Sequence, residues 1–154
     1  MEQLLKSIDL ELHQDQLTTK KGIYFWFDRT SNECVYIGIA CNKNGLKGRI
    51  SRQHLNPKYL EFRDHRHTTY DDYQLSYAVI KISSKGIEKK GIDKSSFRKS
   101  IGRKLKLKPG EETCSYIHSN LTLKVYEHEN EQYLMNLEKE MIKKYQPKFN
   151  TSLK

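Results

Sequence analysis

Apolar residues in the first 17 positions recur at helical spacing. They are Leu4, Leu5, Ile8 and Leu12. This spacing predicts an amphipathic helix rather than a strand. We interpret residues 1–20 as an N-terminal helical extension of the main fold.

From Gly22 onward the pattern changes to alternation. Ile23, Phe25 and Phe27 alternate with Tyr24, Trp26 and Asp28. Turn-forming residues follow at 28–32, and a second apolar run occupies 34–39. Two such runs joined by a short turn predict a β-hairpin.

The rest of the chain mixes helical and strand patterns. Apolar spacing, basic runs and the breakers Asn56-Pro57 and Pro147 set the limits of the elements. The predicted elements are a helix from Leu46 to about Leu55, a strand at 77–82, a loop at 83–91, a basic helix at 93–107, a strand at 121–127 and a helix at 130–145. Together they predict an α+β fold.

Length and charge limit the class of protein. A chain of 154 residues is long enough for one core, and we expect a single domain. The net charge is +9 and the sequence pI is about 9.4, so the protein attracts polyanions. Nucleic acid is the first candidate partner.

Membrane insertion and secretion are not expected. No apolar run approaches the roughly 20 residues that span a bilayer. The first nine residues carry acids where a signal peptide carries basic residues. We therefore expect a soluble, cytoplasmic protein.

The three cysteines are odd in number and form no CxxC pair. We interpret Cys34, Cys41 and Cys114 as free thiols. Cys34 lies in a strand-like run, which favours a small buried apolar residue over a reactive one.

A hairpin register centred on Thr30 would place Tyr24 opposite Tyr36, with both hydroxyls on one face. Two phenols would then share a site. The alternative is that an aromatic cross-strand pair only stabilises the sheet.

Glu138 lies on the apolar face of the last predicted helix, in line with Leu134 and Ile142. A buried unpaired carboxylate costs several kcal/mol, so it requires a cation, a metal or a cleft. The alternative is a structural ion pair with Arg or Lys. Glu140 points elsewhere.

Four separated motifs occur in order between residues 22 and 150. They are Gly22-Ile23-Tyr24 with Tyr36-Ile37-Gly38, Leu46-Lys47-Gly48-Arg49, the run from Glu138 to Ile142, and Pro147-Lys148-Phe149-Asn150. In these motifs the chain resembles the GIY-YIG nuclease superfamily.

This resemblance implies a small three-stranded, mainly antiparallel sheet flanked by helices, built from the hairpin and residues 121–127. Residues 21–154 would form the nuclease domain, and residues 57–118, with a strand and a basic helix, would form an insertion. We refer to residues 57–118 as the insertion.

The resemblance also implies a divalent-metal-dependent DNA endonuclease, with Mg²⁺ as cofactor and Mn²⁺ as a substitute. Tyr24 and Tyr36 would lie at the active centre and Arg49 on the phosphate. Glu138 would hold the metal and Asn150 would have a supporting role.

These residue types suit phosphodiester hydrolysis. Magnesium keeps several waters, so one carboxylate can hold it against substrate oxygens. Arginine is a permanently charged fork that fits phosphate. A tyrosine with a pKa near 10 is a poor base at neutral pH unless cations lower its pKa or it passes the proton on.

His54 is the candidate for that second group, although it departs from the pattern. Many members of the superfamily have His or Tyr four residues after the arginine, which here is Gln53. His54 comes one residue later, about 100° further round an ideal α-helix. The proton acceptor, Tyr24 or His54, therefore stays open.

Two groups of basic residues could hold a DNA duplex on either side of the cut. One group is on the helix at 93–107, and the other surrounds the helix from Leu46 to about Leu55. In the helix at 93–107, Phe97, Ile101 and Leu105 form a narrow apolar stripe and lysines and arginines cover the rest. The residues expected to contact nucleic acid are Lys47, Arg52, Arg98, Lys99, Arg103 and Lys104. The alternative is a solvated basic helix.

His65 and His67 form an HxH beside Asp64, which we interpret as a solvated loop rather than a metal site.

The leading hypothesis is a restriction-type or mobile-element DNA endonuclease, acting as a monomer or homodimer. A structure-specific repair nuclease and an inactive basic nucleic-acid-binding module are the alternatives.

Overall fold

The computed structural model describes residues 2–64 and 79–151. Over these residues the fold is α+β, as predicted, with two antiparallel sheets of four and three strands. Among the described residues, no helix is long and apolar enough to cross a bilayer.

The larger sheet forms the centre of the molecule. Its strands are β1 (Lys6–Ile8), β2 (Gly22–Asp28), β3 (Cys34–Ala40) and β7 (Leu121–Glu127), in the order β1-β7-β2-β3. The predicted hairpin is β2 with β3, and the predicted strand at 121–127 pairs with β2 on its other side. The predicted core strands are therefore confirmed, with β1 added.

Both faces of this sheet are covered, which explains why six of the seven residues of β2 are buried. On one face Ile23, Phe25 and Phe27 pack against Leu134, Leu137 and other residues of the last helix. On the other face the core contains Trp26, Leu46, Ile50, Phe97 and Phe149.

The N-terminal segment is not the predicted amphipathic helix. Short 3₁₀ turns, Glu2–Leu4 and Leu10–Leu12, flank β1, and α1 is only His13–Gln16. Strand β1 pairs with β7, with Lys6 opposite Val125. Ile8 is buried, whereas Leu4 and Leu12 are exposed, so the leucines do not share one face.

After the hairpin, α2 (Gly45–Lys47) continues directly into a π-helix, Gly48–His54. The predicted helix to about Leu55 is thus present, but its second part has wider turns than an α-helix.

The insertion contains more structure than predicted. A three-stranded sheet forms from β4 (Leu60–Asp64), β5 (Val79–Ile82) and β6 (Glu88–Asp93), in the order β4-β6-β5. The predicted loop at 83–91 is wrong from Glu88 onward, because a turn between Ser83 and Ile87 closes a β5-β6 hairpin.

The basic helix of the insertion, α3, runs from Ser96 to Leu105, later than its predicted start at residue 93. Asp93 ends β6 and its side chain is fully buried, so Ser95 caps the helix instead. A second helix, α4 (Glu111–Asn120), was not predicted. The last helix, α5, is Glu131–Tyr145, with Asn130 as its N-cap, close to the prediction.

Candidate functional site

Tyr24 and Tyr36 lie on one face of the hairpin, but not opposite each other. Tyr24 is opposite Gly38, and Tyr36 is opposite Trp26. The turn, which pairs Asp28 with Glu33, displaces the register by one residue, and the irregularity between Trp26 and Phe27 displaces it by another. The predicted register is therefore wrong by two residues. The ring centroids are still 6.4 Å apart with a 27° interplanar angle.

Gly38 makes this arrangement possible. A Cβ atom at position 38 would lie 2.3 Å from the Tyr24 hydroxyl, which is closer than atoms approach in proteins. The Tyr24 side chain thus lies across the backbone of β3, and a side chain at position 38 would displace it.

The π-helix brings His54 to Tyr24. Its Nε2 atom is 2.8 Å from the Tyr24 hydroxyl, and His54 is 3% exposed. The backbone N–H of Leu55 bonds the carbonyl of Ile50, five residues back, at 2.9 Å. Five-residue hydrogen bonds widen the turn, so residues 49 and 54 return to nearly the same face of the helix.

His54 is held by aromatic side chains and by a second hydrogen bond. Phe97 lies edge-on to its ring at 5.4 Å between centroids, and Phe97 also stacks on Tyr36 at 4.3 Å. The Nδ1 atom of His54 is 2.8 Å from the Ser95 hydroxyl.

Arg49 and Glu138 border the same tyrosines. Both charges act on the pKa values of Tyr24 and Tyr36. The Nε atom of Arg49 is buried without a hydrogen-bond partner in the described part of the chain. Within residues 2–64 and 79–151, Glu138 also forms no ion pair within 4.0 Å. The structural ion pair considered for Glu138 is therefore absent from these residues.

Burial dominates the protonation of the site. It raises the pKa of Tyr24 well above its usual range, and it raises that of Tyr36 to about 12. Burial, with the charges of Arg49 and Arg98, lowers the pKa of His54 to about 3. Both phenols thus hold their protons at neutral pH and the imidazole is uncharged.

Glu138 is half-buried on α5. Burial raises its pKa, and the positive charges of Arg49 and Lys139 partly oppose this shift. A carboxylate whose charge is disfavoured by its surroundings gains from a nearby cation.

The donors fit a magnesium ion better than a zinc ion. No group of three or more His, Cys, Asp or Glu residues comes together in the described part of the chain. Zinc requires several nitrogen or sulfur ligands, whereas Mg²⁺ binds through one or two carboxylates plus water and phosphate oxygens. His65 and His67 lie outside the described residues.

Asn150 supports the hairpin from the C-terminal segment. Its Nδ2 donates to the carbonyl of Ile37, and its Oδ1 accepts from the N–H of Ile37, both at 2.9 Å. These two bonds fix the backbone between Tyr36 and Gly38.

Arg98 does not lie on the basic surface, so its predicted contact with nucleic acid is wrong. Its side chain is fully buried and pairs with Asp93, which is equally buried. The guanidinium also donates to the carbonyls of Gln53, Asn56 and Tyr59. It therefore joins the insertion to the end of the π-helix.

The other five residues predicted to contact nucleic acid lie in two regions. Lys99, Arg103 and Lys104 border one groove of about 170 Å³, which Thr151 also lines. Lys104 also donates to the carbonyl of Lys148. Lys47 is half-buried on α2, and Arg52 is exposed on the π-helix.

Ser95 was missed by the sequence reasoning. A serine before a helix is a common N-cap, and its Oγ accepts from the N–H of Arg98 at 3.2 Å. No spacing in the sequence relates residue 95 to His54, which lies 41 positions earlier.

No protein-family model matches the chain, and no curated protein or solved structure matches it.

Proposed function

We propose that this chain is a divalent-metal-dependent endonuclease that hydrolyses phosphodiester bonds in double-stranded DNA, with Mg²⁺ as cofactor and Mn²⁺ as a substitute. We further propose that it is a member of the GIY-YIG superfamily, on the strength of the four motifs between residues 22 and 150.

One observation carries the proposal. Glu138 is half-buried beside Arg49, Tyr24 and Tyr36, although it forms no ion pair in the described residues. A binding surface or a packed core does not require such a carboxylate, because an unpaired buried charge lowers stability. A metal site does require one.

The residues divide the chemistry of hydrolysis among them. In the reaction a water oxygen bonds to phosphorus as one P–O ester bond breaks, and the proton that the water loses is passed on to the departing oxygen. Arg49 supplies positive charge to the phosphate oxygens. Tyr24 and Tyr36 contribute two phenol groups to the site, and His54 contacts the hydroxyl of Tyr24.

Glu138 is the residue that would hold Mg²⁺. The ion, when bound, neutralises charge on the phosphate and lowers the pKa of a bound water.

The basic groove supports DNA as the substrate. Lys99, Arg103 and Lys104 border it, and the whole chain carries a charge of +9. Such a surface binds the phosphate backbone without regard to base sequence. The cytoplasm is the proposed compartment, because Cys34, Cys41 and Cys114 are all free thiols.

Incubation with supercoiled plasmid tests this function. We expect nicked and then linear DNA with Mg²⁺ or Mn²⁺, and no cleavage with EDTA. Parallel reactions contain single-stranded DNA, branched DNA and RNA, which compare the substrate classes. Salt-sensitive binding without cleavage of any substrate would show instead that the chain is a nucleic-acid-binding module.

A further inference from the structure

Both ring nitrogens of His54 have buried partners from different parts of the chain. The Nε2 atom is 2.8 Å from the Tyr24 hydroxyl on β2, and Nδ1 is 2.8 Å from the Ser95 hydroxyl. Ser95 lies between β6 and α3 and is 4% exposed. The insertion therefore reaches the inner side of the candidate site.

The second bond of Ser95 indicates which atom donates. Its Oγ accepts from the N–H of Arg98 at 3.2 Å, and a serine hydroxyl has one proton to donate. Among the described residues, Nδ1 of His54 is the acceptor within reach of that proton. A buried donor without an acceptor is unfavourable, because it has given up its hydrogen bond to water. The Ser95 hydroxyl is therefore best satisfied by donating to Nδ1.

This direction determines the rest of the chain of hydrogen bonds. If Nδ1 accepts, the proton of the neutral imidazole is on Nε2, and Nε2–H donates to the Tyr24 oxygen. The opposite direction makes Tyr24 the donor to Nε2 and leaves the Ser95 proton without an acceptor. In the first arrangement the Tyr24 hydroxyl keeps its proton for an acceptor in the site.

The helix behind Ser95 polarises these bonds in the same direction. Ser95 is the N-cap of the ten-residue helix α3, whose first N–H groups carry partial positive charge. Hydrogen bonds in series strengthen one another when their donors point the same way. The series runs from the N–H of Arg98 through Ser95 and His54 to Tyr24.

Arg98 fixes Ser95 relative to His54. Its guanidinium donates to the carbonyl of Gln53 at 2.7 Å and to that of Asn56 at 2.5 Å, on either side of His54. Its partner Asp93 also accepts from the N–H of Gly110 and the hydroxyl of Thr113, both at 2.8 Å. The start of α3 is thereby attached to the end of the π-helix.

We propose that Ser95 is a positioning residue, supplied by the insertion, that holds His54 as the Nε2–H tautomer and so makes His54 a hydrogen-bond donor to Tyr24. His54 then stabilises negative charge on the phenolic oxygen and does not take up the proton itself. The catalytic use of Tyr24 rests on the proposed nuclease function, whereas the tautomer of His54 does not.

The protonation of the site agrees with this assignment. Burial raises the pKa of Tyr24, so a hydrogen-bond donor to its oxygen is needed if Tyr24 is to give up its proton and carry negative charge. A neutral imidazole, which follows from the low pKa of His54, provides one N–H for this purpose.

Nuclear magnetic resonance of protein labelled with ¹⁵N-histidine tests the tautomer directly and requires no activity. The His54 ring signals are assigned by their absence in His54→Gln. We expect a protonated Nε2 and an unprotonated Nδ1 in the wild type. A protonated Nδ1, or a mixture of the two tautomers, overturns the proposal.

A set of variants tests the role of Ser95 in cleavage. Ser95→Gly keeps an acceptable N-cap but removes the hydroxyl. We expect the nicking rate to fall on the order of tenfold to a hundredfold, and the His54 signals to shift toward a mixture of tautomers. Ser95→Thr, which keeps the hydroxyl, is expected to restore both.

Ser100→Ala is the matched control, because Ser100 is on the same helix, is equally buried at 4%, and its Oγ has no hydrogen-bond partner in the described residues. Ser100 also lines the basic groove, but Ser100→Ala leaves the charges of Lys99, Arg103 and Lys104 in place. Equal nicking by Ser95→Gly and Ser100→Ala would overturn the positioning role within a working nuclease. An Nε2–H tautomer in a protein that cuts nothing would instead reject the nuclease function and leave the hydrogen-bond assignment in place.

Discussion

At the scale of single residues, burial determines which groups can be charged. His54 is surrounded by Tyr24, Phe97 and Ser95, and its nearest charges are the arginines Arg49 and Arg98. Burial among these side chains and the positive charges of Arg49 and Arg98 disfavour an imidazolium. The same desolvation keeps the two tyrosines protonated and raises the pKa of Glu138.

The low pKa of His54 predicts a loss of stability in acid. The unfolded chain protonates His54 near the ordinary value of 6.5, whereas the folded protein does so only at about 3. The stability from neutral His54 is thus fully present above pH 6.5 and declines as pH falls toward 3. For one proton the slope is up to about 1.4 kcal/mol per pH unit.

Urea denaturation of the wild type and His54→Gln at pH 7 and pH 5 measures this slope. The variant is expected to lose less stability between the two pH values than the wild type. Equal losses would show that His54 does not remain neutral in the folded protein.

The ionised carboxylate of Glu138 is expected to lower the stability of the folded protein at neutral pH. Because its pKa is raised in the folded protein, the protonated form favours folding, and this advantage is lost as pH rises through that pKa. Glu138→Gln, which is neutral, should therefore have a higher Tm than the wild type at pH 7. The difference should vanish in acid, where the carboxyl is protonated.

Adding Mg²⁺ to the same melting experiment tests whether Glu138 binds the ion. The ion should raise the Tm of the wild type and leave Glu138→Gln unchanged, since a ligand stabilises only the state that binds it. A lower Tm for Glu138→Gln at pH 7 would instead identify Glu138 as a structural charge.

At the scale of secondary-structure elements, the π-helix explains why spacing alone misjudged His54. Counting residues from Arg49 assumed 3.6 residues per turn, and on that assumption His54 points away from the four-residue position. The π-helix at Gly48–His54 takes up the additional residue, so the five-residue spacing brings His54 to Tyr24. Nothing in the local composition distinguishes this helix from an α-helix.

Other elements differ in how clearly the sequence predicts them. Alternating apolar residues predicted β2 and β7, and an apolar run after a turn predicted β3. Glu138 lies on α5 near the predicted line of apolar residues. Strand β1 is only three residues long, too short for a periodic signal. Strand β6 begins Glu88-Lys89-Lys90, and this charged start was interpreted as a loop.

Arg98 and Lys99 are adjacent on α3 and should behave in opposite ways. Arg98→Met leaves Asp93 buried without its cation, and we expect a loss of about 3–5 kcal/mol in the free energy of unfolding. Lys99→Met, which breaks only a surface contact with Glu61 at 4.0 Å, should change it by less than about 0.5 kcal/mol.

In DNA binding, Lys99→Met rather than Arg98→Met should differ from the wild type. Lys99→Met is expected to reduce the slope of log affinity against log salt concentration by about 1, whereas folded Arg98→Met should keep the wild-type slope. A reduced slope for Arg98→Met would contradict its assignment to the interior.

At the scale of the whole molecule, the insertion and the larger sheet share one hydrophobic core. Phe97, Ile101 and Ile117 come from the insertion, yet they pack with Trp26 and Leu46 in one cluster. The net charge of +9 predicts attraction to nucleic acid from composition alone. Contacts between distant segments, such as Ser95 with His54, depend on tertiary packing and could not be predicted from spacing.

The proposed role of Glu138 is to hold a metal for phosphodiester hydrolysis, and the nicking rate of supercoiled plasmid in Mg²⁺ measures this role. The comparison is between the wild type, Glu138→Ala and Glu140→Ala, since Glu140 is exposed on the same helix. A metal ligand contributes several kcal/mol to the transition state, so Glu138→Ala should nick more than about a hundredfold more slowly. Glu140→Ala should stay close to the wild-type rate, and both variants should bind DNA with the wild-type salt dependence. Nicking by Glu138→Ala at the rate of Glu140→Ala would contradict the account.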